Sequence, residues 1–178
     1  MFELNFICEK DLELVFKWRN LENIRYNMIN NQIISWQEHC NWFENLQNRN
    51  DREFFLFSID KKKVGIVSFT EIDLKNHKCK WGFYIGEPTA PRGSGTLMAY
   101  YTLEYMFSEY NLHKVNSEVF DFNTKSLEFH KKLRFMETGV LKEEIYRSGT
   151  YYDLILFSLF KTEWDKAKKY IEIANDER

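Results

Sequence analysis

The chain has 178 residues with 25 basic and 27 acidic side chains, and its net charge of -2 gives no electrostatic reason to expect a nucleic-acid partner. Its 16 Phe and 10 Tyr favour a folded domain with strands over a disordered chain. The three cysteines, Cys8, Cys40 and Cys79, lack metal-binding spacing, so we expect reduced, buried thiols and no metal site.

The sequence shows no targeting or membrane signal. Its start, Met1-Phe2-Glu3-Leu4-Asn5, does not resemble a signal peptide, and the apolar run 154–160 is too short to span a bilayer. Neither an internal repeat nor a Pro/Ser-rich linker divides the chain. We therefore predict a single domain over residues 1–178, located in the cytoplasm and without a membrane partner.

The N-terminal part of the chain predicts one strand and two helices. The strand covers 2–7, and the apolar residues of 10–19 fall on one side of a first helix. Ser35 is the expected N-cap of the second helix, because Glu38 at the third helical position completes a capping box. This second helix extends to about Asn48.

The rest of the chain alternates strands with helices. The segment after the central strands carries only Glu104 and Glu109 as charges, which is typical of a buried helix, and Asn123 is the expected N-cap of the next one. The predicted elements are strands 53–59, 64–73, 79–86 and 113–120, helices 96–110 and 124–133, a hairpin of 140–146 with 151–160, and a helix over 162–173. This order predicts an α+β fold with a central, mostly antiparallel mixed sheet flanked by helices.

A glycine-rich loop follows the strand that ends at Gly86. The loop enters the apolar helix through Pro91-Arg92-Gly93-Ser94-Gly95-Thr96. Glycine permits close backbone approach, and free N–H groups at a helix N-terminus bind anions, so the loop predicts a seat for a phosphate-bearing cofactor. A simple tight turn explains the two glycines equally well. The P-loop and dinucleotide motifs are both excluded by the residues that follow Gly95.

A second informative segment is 123–135. On a helix, Ser126, His130 and Leu133 share one side, which also carries Phe129, so His130 has apolar neighbours. Such a histidine is more often a packed, hydrogen-bonded residue than a functional one.

The order of strand, glycine loop, buried helix and strand, followed by Asn-x-x-Ser-x-x-Phe-His-x-Lys-Leu-x-Phe, resembles the GNAT superfamily of acyl-CoA-dependent N-acetyltransferases. The resemblance covers roughly 53–160, which we take as the acyl-CoA-binding core, with acceptor-side helices over about 10–48. It implies that the fourth strand splays from the fifth, that acetyl-CoA lies in the gap as acetyl donor, and that its pyrophosphate lies on the glycine loop.

The resemblance also implies roles for individual residues. Gly93 and Gly95 match the loop glycines, with Arg92, Ser94 and Thr96 as backbone donors to the pyrophosphate. Phe83, Tyr84 and Ile85 match the strand that pairs with the pantetheine arm, and Asn123 matches an asparagine that contacts CoA. His130 takes the position of a tyrosine that protonates the leaving thiolate. Two positions depart from the family pattern: Ala90, where Gln or Arg is usual, and Arg134, where Gly is usual.

The chemistry of acetyl transfer requires a base, an oxyanion donor and an acid. The resemblance implies a strand N–H near Tyr84 or Ile85 as oxyanion donor and His130 as general acid. Glu71 is the expected base, because it ends the strand face that carries Val67 and Phe69. A solvated edge charge explains Glu71 as well, Asp73 and Asp153 are weaker candidates, and a water relay is an alternative.

The N-terminal segments around Trp18-Arg19-Asn20 and Trp36 to His39 are similar to N-acetyltransferases of the pseudaminic acid pathway, which act on the 4-amino group of a UDP-linked 4-amino-4,6-dideoxy-sugar. We expect Arg19, Asn20 and Trp36 to bind the substrate: Arg19 would bind a phosphate or a carboxylate, and an exposed Trp36 or Trp42 would stack on uracil.

Alternative functions remain open on the sequence. The same segments are also similar to ribosomal-protein alanine N-acetyltransferases, whose acceptors are protein N-termini. A non-catalytic acyl-CoA-binding module would keep the glycine loop as well. The last hairpin offers an edge through which a homodimer is conceivable, although an edge strand is not evidence of pairing.

Overall fold

The computed structural model describes the backbone of residues 1–176 and the side chains of residues 1–169. The chain forms a seven-stranded sheet in the order β1-β2-β3-β4-β5-β7-β6, together with six α-helices in the described part. Two compact units are distinguished: residues 1–72 with 82–102, and residues 73–81 with those from 103 onward.

The first unit begins with a strand, a 3-10 turn at Glu9–Asp11 and three helices. Its elements are β1 (Phe2–Phe6), α1 (Leu12–Arg19), α2 (Glu22–Arg25), α3 (Trp36–Gln47), β2 (Glu53–Ile59) and β3 (Lys62–Asp73), with the end of β4 (Lys78–Ile85) and the start of α4 (Ser94–Glu109). The strands β1, β2 and β3 pair antiparallel in this order. The short α2 was not predicted, because four residues are too few to show a helical period.

The predicted capping box at the start of α3 is confirmed. The Ser35 hydroxyl accepts from the N–H of Glu38 at 3.2 Å, and the Glu38 carboxylate accepts from the N–H of Ser35 at 2.6 Å. These reciprocal bonds satisfy two backbone donors that a helix start otherwise leaves open. They also hold the pKa of Glu38 below its usual range, chiefly through the backbone N–H of Ser35. The start of α3 is therefore determined locally.

An apolar cluster fixes the helices of the first unit against its strands. Trp18 and Val15 of α1, Phe43 of α3, and Leu56 and Ile66 of β2 and β3 are all buried in it. Trp18 is therefore a core residue of the first unit. Burial of this apolar area sets the position of α1 and, with it, of Arg19 at its C-terminal end.

The second unit contains the start of β4, the end of α4 and the rest of the chain. Its other elements are β5 (Lys114–Phe120), α5 (Thr124–Lys132), β6 (Met136–Arg147), β7 (Thr150–Phe160) and α6 (Lys161–Asp176). β4 pairs with β5 in parallel over only three residues, Lys78–Lys80 with Lys114–Asn116, whereas β5 pairs with β7 antiparallel along its full length. The parallel pair β4–β5, together with the antiparallel pairs β1–β2, β2–β3, β5–β7 and β6–β7, makes the sheet mixed, as predicted.

The hairpin of β6 and β7 is longer than its sequence pattern suggests. β6 starts at Met136 instead of 140, because pairing with β7 extends to Met136 opposite Ser158. The connection expected between the strands, residues 147–150, is shortened to a two-residue turn, in which Ser148 and Gly149 have left-handed φ of 47° and 90°. Most β6 side chains are exposed, which is why their polar sequence hides the strand.

The helix α6 is attached to α4 through a partly buried polar contact. Nε1 of Trp164 donates to a carboxylate oxygen of Glu104 at 2.8 Å, and Nζ of Lys168 contacts the same carboxylate at 2.9 Å. Trp164 is fully buried. Because a buried indole N–H needs an acceptor, the carboxylate of Glu104 stabilises the packing of Trp164 against this otherwise apolar helix.

Among the helices that the structure describes, none combines the length and the hydropathy that a membrane-spanning segment requires.

Candidate active site

The glycine loop of the first unit has the geometry of an anion-binding helix start. Gly93 has a backbone φ of 94°, which residues with a side chain rarely adopt. The 16-residue helix α4 begins at the next residue. The N–H of Ser94 donates to the Pro91 carbonyl at 3.1 Å, and the N–H of Thr96 donates to the Gly93 carbonyl at 2.9 Å. Two of the predicted backbone donors are therefore used inside the turn.

The backbone N–H groups of Gly93 and Gly95 remain for a ligand, since neither has an acceptor within the described part of the chain. No acidic residue lies between Ala90 and Leu103, and Arg92 is exposed at the helix start. The helix dipole adds positive potential at the same point. A diphosphate therefore fits these residues, and the fit is better at the two glycines than at Ser94 and Thr96.

The predicted cofactor strand lies next to β3. Phe83, Tyr84 and Ile85 are half-buried at the end of β4. A Cβ atom at Gly65 of β3 would lie 2.6 Å from the Tyr84 carbonyl oxygen, so only glycine allows the two strands to approach this closely here. In the sequence, Gly65 marks the turn into this strand; the structure places it inside β3, opposite Phe57 of β2.

His130 lies in the interior of the second unit, with 1% of its surface exposed. Its Nδ1 is 2.7 Å from the Ser126 carbonyl oxygen, and its Nε2 is 3.3 Å from Nε1 of Trp81. A carbonyl only accepts and an indole N–H only donates, so the neutral imidazole carries its proton on Nδ1 and accepts at Nε2. The ring is held in one tautomer by these two contacts.

Burial lowers the pKa of His130 to about 4, although the contact with Ser126 acts in the opposite direction. The imidazole is therefore neutral near pH 7, and its one proton is bonded to Ser126. A general acid has to release a proton towards the reacting atoms. The geometry favours the packed interpretation of His130, and the role of general acid remains a prediction.

Asn123 lies at the start of α5, and Glu71 lies near the end of β3. The side-chain oxygen of Asn123 accepts from the N–H of Ser126 at 3.2 Å, which confirms it as the N-cap of α5. We had expected Glu71 to continue the strand face that carries Val67 and Phe69, and this expectation is wrong. Glu71 is exposed and its φ of 52° is not that of an extended strand, whereas Val67 and Phe69 are buried. The role of Glu71 as base remains a prediction, as does a contact of Asn123 with CoA.

The two weaker base candidates are engaged in local contacts. The carboxylate of Asp73 accepts from Asn76, and that of Asp153 from Lys142 at 2.6 Å, and these partners hold the pKa of each carboxyl below its usual range. Arg134, the departure from the family's glycine, has φ of 67°. The glycine of the family pattern thus corresponds to a left-handed position, which arginine occupies here with strain.

Arg19 lies at the end of α1 in the first unit and is only partly satisfied. Its Nη2 donates to the Asn30 carbonyl at 2.6 Å, whereas Nη1 is buried and has no hydrogen-bond partner within the described residues. Burial lowers the pKa of Arg19, and the neighbouring Arg25 acts in the same direction. An unpaired buried guanidinium nitrogen is costly, and an oxygen of an anionic group is the kind of acceptor that would satisfy it.

The other two predicted acceptor residues differ in exposure. The amide of Asn20 forms two hydrogen bonds of 3.0 Å with the backbone of Ile34, so its side chain holds the loop between α2 and α3 (residues 26–35). Trp36 is 44% exposed and packs its edge against Phe16. Sequence analysis missed Arg25, which donates to the carbonyls of Asn20 and Asn31 and so holds the same loop.

The comparisons with known proteins agree on one family. The sequence model of the acetyltransferase (GNAT) domain matches residues 2–136. The chain is 30% identical over 149 residues to the prophage-derived N-acetyltransferase YokL of Bacillus subtilis, covering 83% of this chain and 80% of the relative. It is 28% identical over 133 residues to the acetyltransferase PseH of Campylobacter jejuni, covering 75% of this chain and 80% of that protein.

A solved structure shows the same fold. The spermidine N-acetyltransferase of Vibrio cholerae, crystallised with CoA and spermine, superposes with a TM-score of 0.85 at 22% identity, covering 92% of this chain and 97% of that one. The chain belongs to the GNAT family of acetyltransferases, and it is an enzyme that transfers the acetyl group of acetyl-CoA to an amine.

Proposed function

We propose that the acceptor is a small-molecule amine that carries an anionic group, and specifically the 4-amino group of a UDP-linked 4-amino-4,6-dideoxy-sugar. The observation that carries this proposal is Nη1 of Arg19, which is buried and has no partner within the described residues. A diphosphate oxygen would satisfy this nitrogen and offset the cost of burying the guanidinium. The similarity to the acetyltransferase PseH over 75% of the chain agrees with the resemblance of the N-terminal segments to N-acetyltransferases of the pseudaminic acid pathway.

The loop between α2 and α3 supports an anion over a polycation. Residues 26–35 contain no Asp or Glu, and the side chains of Arg19 and Arg25 both donate to carbonyls of this loop. A polyamine or a basic protein N-terminus needs carboxylates to bind its positive charges. Two guanidinium groups at this place repel such acceptors, so polyamines and ribosomal-protein N-termini are the less favoured alternatives.

Trp36 adds a surface for the nucleotide base. Its indole is 44% exposed and rests against Phe16 at a ring separation of 5.3 Å. A fixed, exposed aromatic ring is suited to stacking on uracil, and base–aromatic stacking contributes about 1–3 kcal/mol per base. Phosphate recognition by Arg19 and base stacking on Trp36 would together select a nucleotide-linked acceptor.

The transfer itself follows from the chemistry of a thioester. The neutral amine attacks the acetyl carbonyl, a tetrahedral oxyanion forms, and the CoA thiolate leaves as the amide is made. Glu71, directly or through water, would remove the proton of the attacking amine, and an N–H of Tyr84 or Ile85 would donate to the oxyanion. The thiolate must gain a proton, and His130 is the predicted but geometrically disfavoured donor.

The acceptor class is tested by measuring free-thiol release from acetyl-CoA with three acceptors. They are the UDP-linked 4-amino-4,6-dideoxy-sugar, spermidine and a peptide with an N-terminal alanine, each against a blank without acceptor. We expect the largest kcat/KM with the nucleotide sugar. A larger kcat/KM with spermidine or the peptide would overturn the proposal and leave the acetyltransferase activity intact.

Removing the guanidinium separates recognition of the acceptor from that of the donor. We expect Arg19→Met to raise the KM for the nucleotide sugar by about tenfold and to leave the KM for acetyl-CoA within about twofold, since one charge-assisted hydrogen bond is lost. Lys17→Met is the matched control, because it removes the same charge from an exposed position of α1. Equal KM values in Arg19→Met and the wild type would exclude Arg19 from acceptor binding.

The donor site is tested at the second glycine of the loop. We expect Gly95→Val to weaken acetyl-CoA binding by about tenfold or more, because its side chain blocks approach of the pyrophosphate to the N–H groups of Gly93 and Gly95. The dissociation constant is measured by titration calorimetry. Gly139→Val is the control, since a Cβ there lies 3.6 Å from Leu156 in ordinary contact. Wild-type affinity in Gly95→Val would place the pyrophosphate elsewhere.

A further inference from the structure

A single ring nitrogen connects two strands of the second unit. Nε2 of His130 lies 3.3 Å from Nε1 of Trp81 in β4 and 2.9 Å from the hydroxyl of Ser117 in β5. All three side chains are buried, with exposed fractions of 1%, 3% and 4% for His130, Trp81 and Ser117. Because Nε2 is an acceptor in the tautomer fixed by Ser126, both Trp81 and Ser117 donate to it.

These contacts lie where the backbone pairing of β4 and β5 stops. The parallel register ends with Lys80 opposite Asn116. Trp81 and Ser117 are the next residue on each strand, and in place of a further step of the ladder they share the imidazole of α5. A parallel pair of only three residues has little stability of its own, so side chains at its end decide where the two strands part.

The imidazole is itself held firmly in place. Its ring stacks on Phe157 at 5.2 Å, with an interplanar angle of 23°, and meets the edge of Phe135 at 4.9 Å. Trp81 in turn stacks on Phe135 at 5.5 Å. Nδ1 is bonded to the Ser126 carbonyl within the same helix. A rigid acceptor of this kind defines the positions of its two donors.

We propose that His130 is a positioning residue, whose Nε2 fixes Trp81 and Ser117 and thereby sets the residue at which β4 leaves its pairing with β5. The next residues of β4 are Gly82 and the cofactor strand Phe83 to Ile85. The main-chain N–H and C=O groups of this strand must face acetyl-CoA, and the inference rests on that proposed role of the strand. His130 then acts on acetyl-CoA binding through Trp81 and does not transfer a proton.

The test compares three variants that each break one contact. Trp81→Phe keeps the imidazole and a similar ring but removes one donor, Ser117→Ala removes the other donor, and His130→Phe removes the acceptor. We expect Trp81→Phe and His130→Phe to weaken acetyl-CoA binding by about fivefold each, and the double variant to be no weaker than either, because the two residues act as a unit. Binding is measured by titration calorimetry on samples whose folding is checked by circular dichroism.

The kinetics of the same variants separate positioning from proton transfer. Positioning predicts that Trp81→Phe, with its histidine intact, has the same raised KM for acetyl-CoA as His130→Phe. A His130→Gln variant, whose amide oxygen can accept from Trp81, should recover part of the affinity. Proton transfer by His130 predicts instead that Trp81→Phe retains the wild-type kcat while His130→Phe loses most of it, and this result would overturn the proposal.

A spectroscopic readout covers the case in which His130→Phe folds poorly. The indole N–H resonance of Trp81 is assigned by its loss in Trp81→Phe, and we expect it to move in Ser117→Ala, which perturbs the shared acceptor. Native acetyl-CoA affinity in Trp81→Phe, with or without a loss of stability, would show a purely structural role and overturn the inference. If Gly95→Val weakens binding while Trp81→Phe does not, the donor site stands and the positioning role alone is wrong.

Discussion

Gly86→Ala is expected to lower the free energy of unfolding by about 3 kcal/mol, because the added methyl group overlaps a buried indole ring. A Cβ at position 86 would lie 2.1 Å from Cδ2 and 2.3 Å from Cγ of Trp18. These are ring atoms of a side chain that is 3% exposed in the core of the first unit, so the indole cannot turn away. The clash must be relieved by moving α1 or the end of β4.

The displacement has a functional consequence as well. Arg19 follows Trp18 on α1, so a shift of the helix moves the guanidinium, and we expect the acceptor KM to rise together with the loss of stability. Urea denaturation gives the free energy, and thiol-release kinetics give the KM. Gly139→Ala is the control and should change stability by less than about 0.5 kcal/mol, since its Cβ meets Leu156 at 3.6 Å. A change below about 1 kcal/mol in Gly86→Ala would mean that the indole is not fixed.

Acidification from pH 7 to pH 5 is expected to lower the free energy of unfolding by about 2 kcal/mol through His130. Its pKa is lowered from 6.5 to about 4 in the folded protein, chiefly by burial. Between these two values the unfolded chain binds the proton and the folded chain does not, so stability is fully present above pH 6.5 and is lost as the pH falls towards 4. Burial also lowers the pKa of His39, which adds to the loss in the same direction.

The contribution of His130 is isolated by comparing denaturation midpoints at the two pH values. We expect His130→Gln to be less stable than the wild type at pH 7 but to have a much smaller change between pH 7 and pH 5. His77→Gln, at an exposed position, is the matched control and should keep the full change. An unaltered pH dependence in His130→Gln would show that the imidazole becomes protonated without unfolding.

Local interactions made much of this chain predictable. The capping box of Ser35 and Glu38, the N-cap Asn123 and the turn at Ser148 and Gly149 depend on residues within four positions of each other, and all three are confirmed. The bounds of β2 are also confirmed, because its apolar run is bordered by polar turns. Where a partner strand supplies the stability, as for the exposed β6, the sequence pattern gave too short an element.

The features of the candidate site also differ in whether they depend on neighbouring residues or on tertiary contacts. The sequence by itself determined the glycine loop, since a left-handed Gly93 before an apolar helix follows from adjacent residues, and with it the family of the protein. Only the tertiary structure decided that Ser117 and Trp81 share the nitrogen of His130, that Nη1 of Arg19 is buried without a partner in the described chain, and that Gly86 lies against Trp18. These contacts join residues 13 to 68 positions apart or depend on burial by several elements. A pattern of neighbouring residues cannot predict them, because it does not indicate which distant side chains the fold brings into contact.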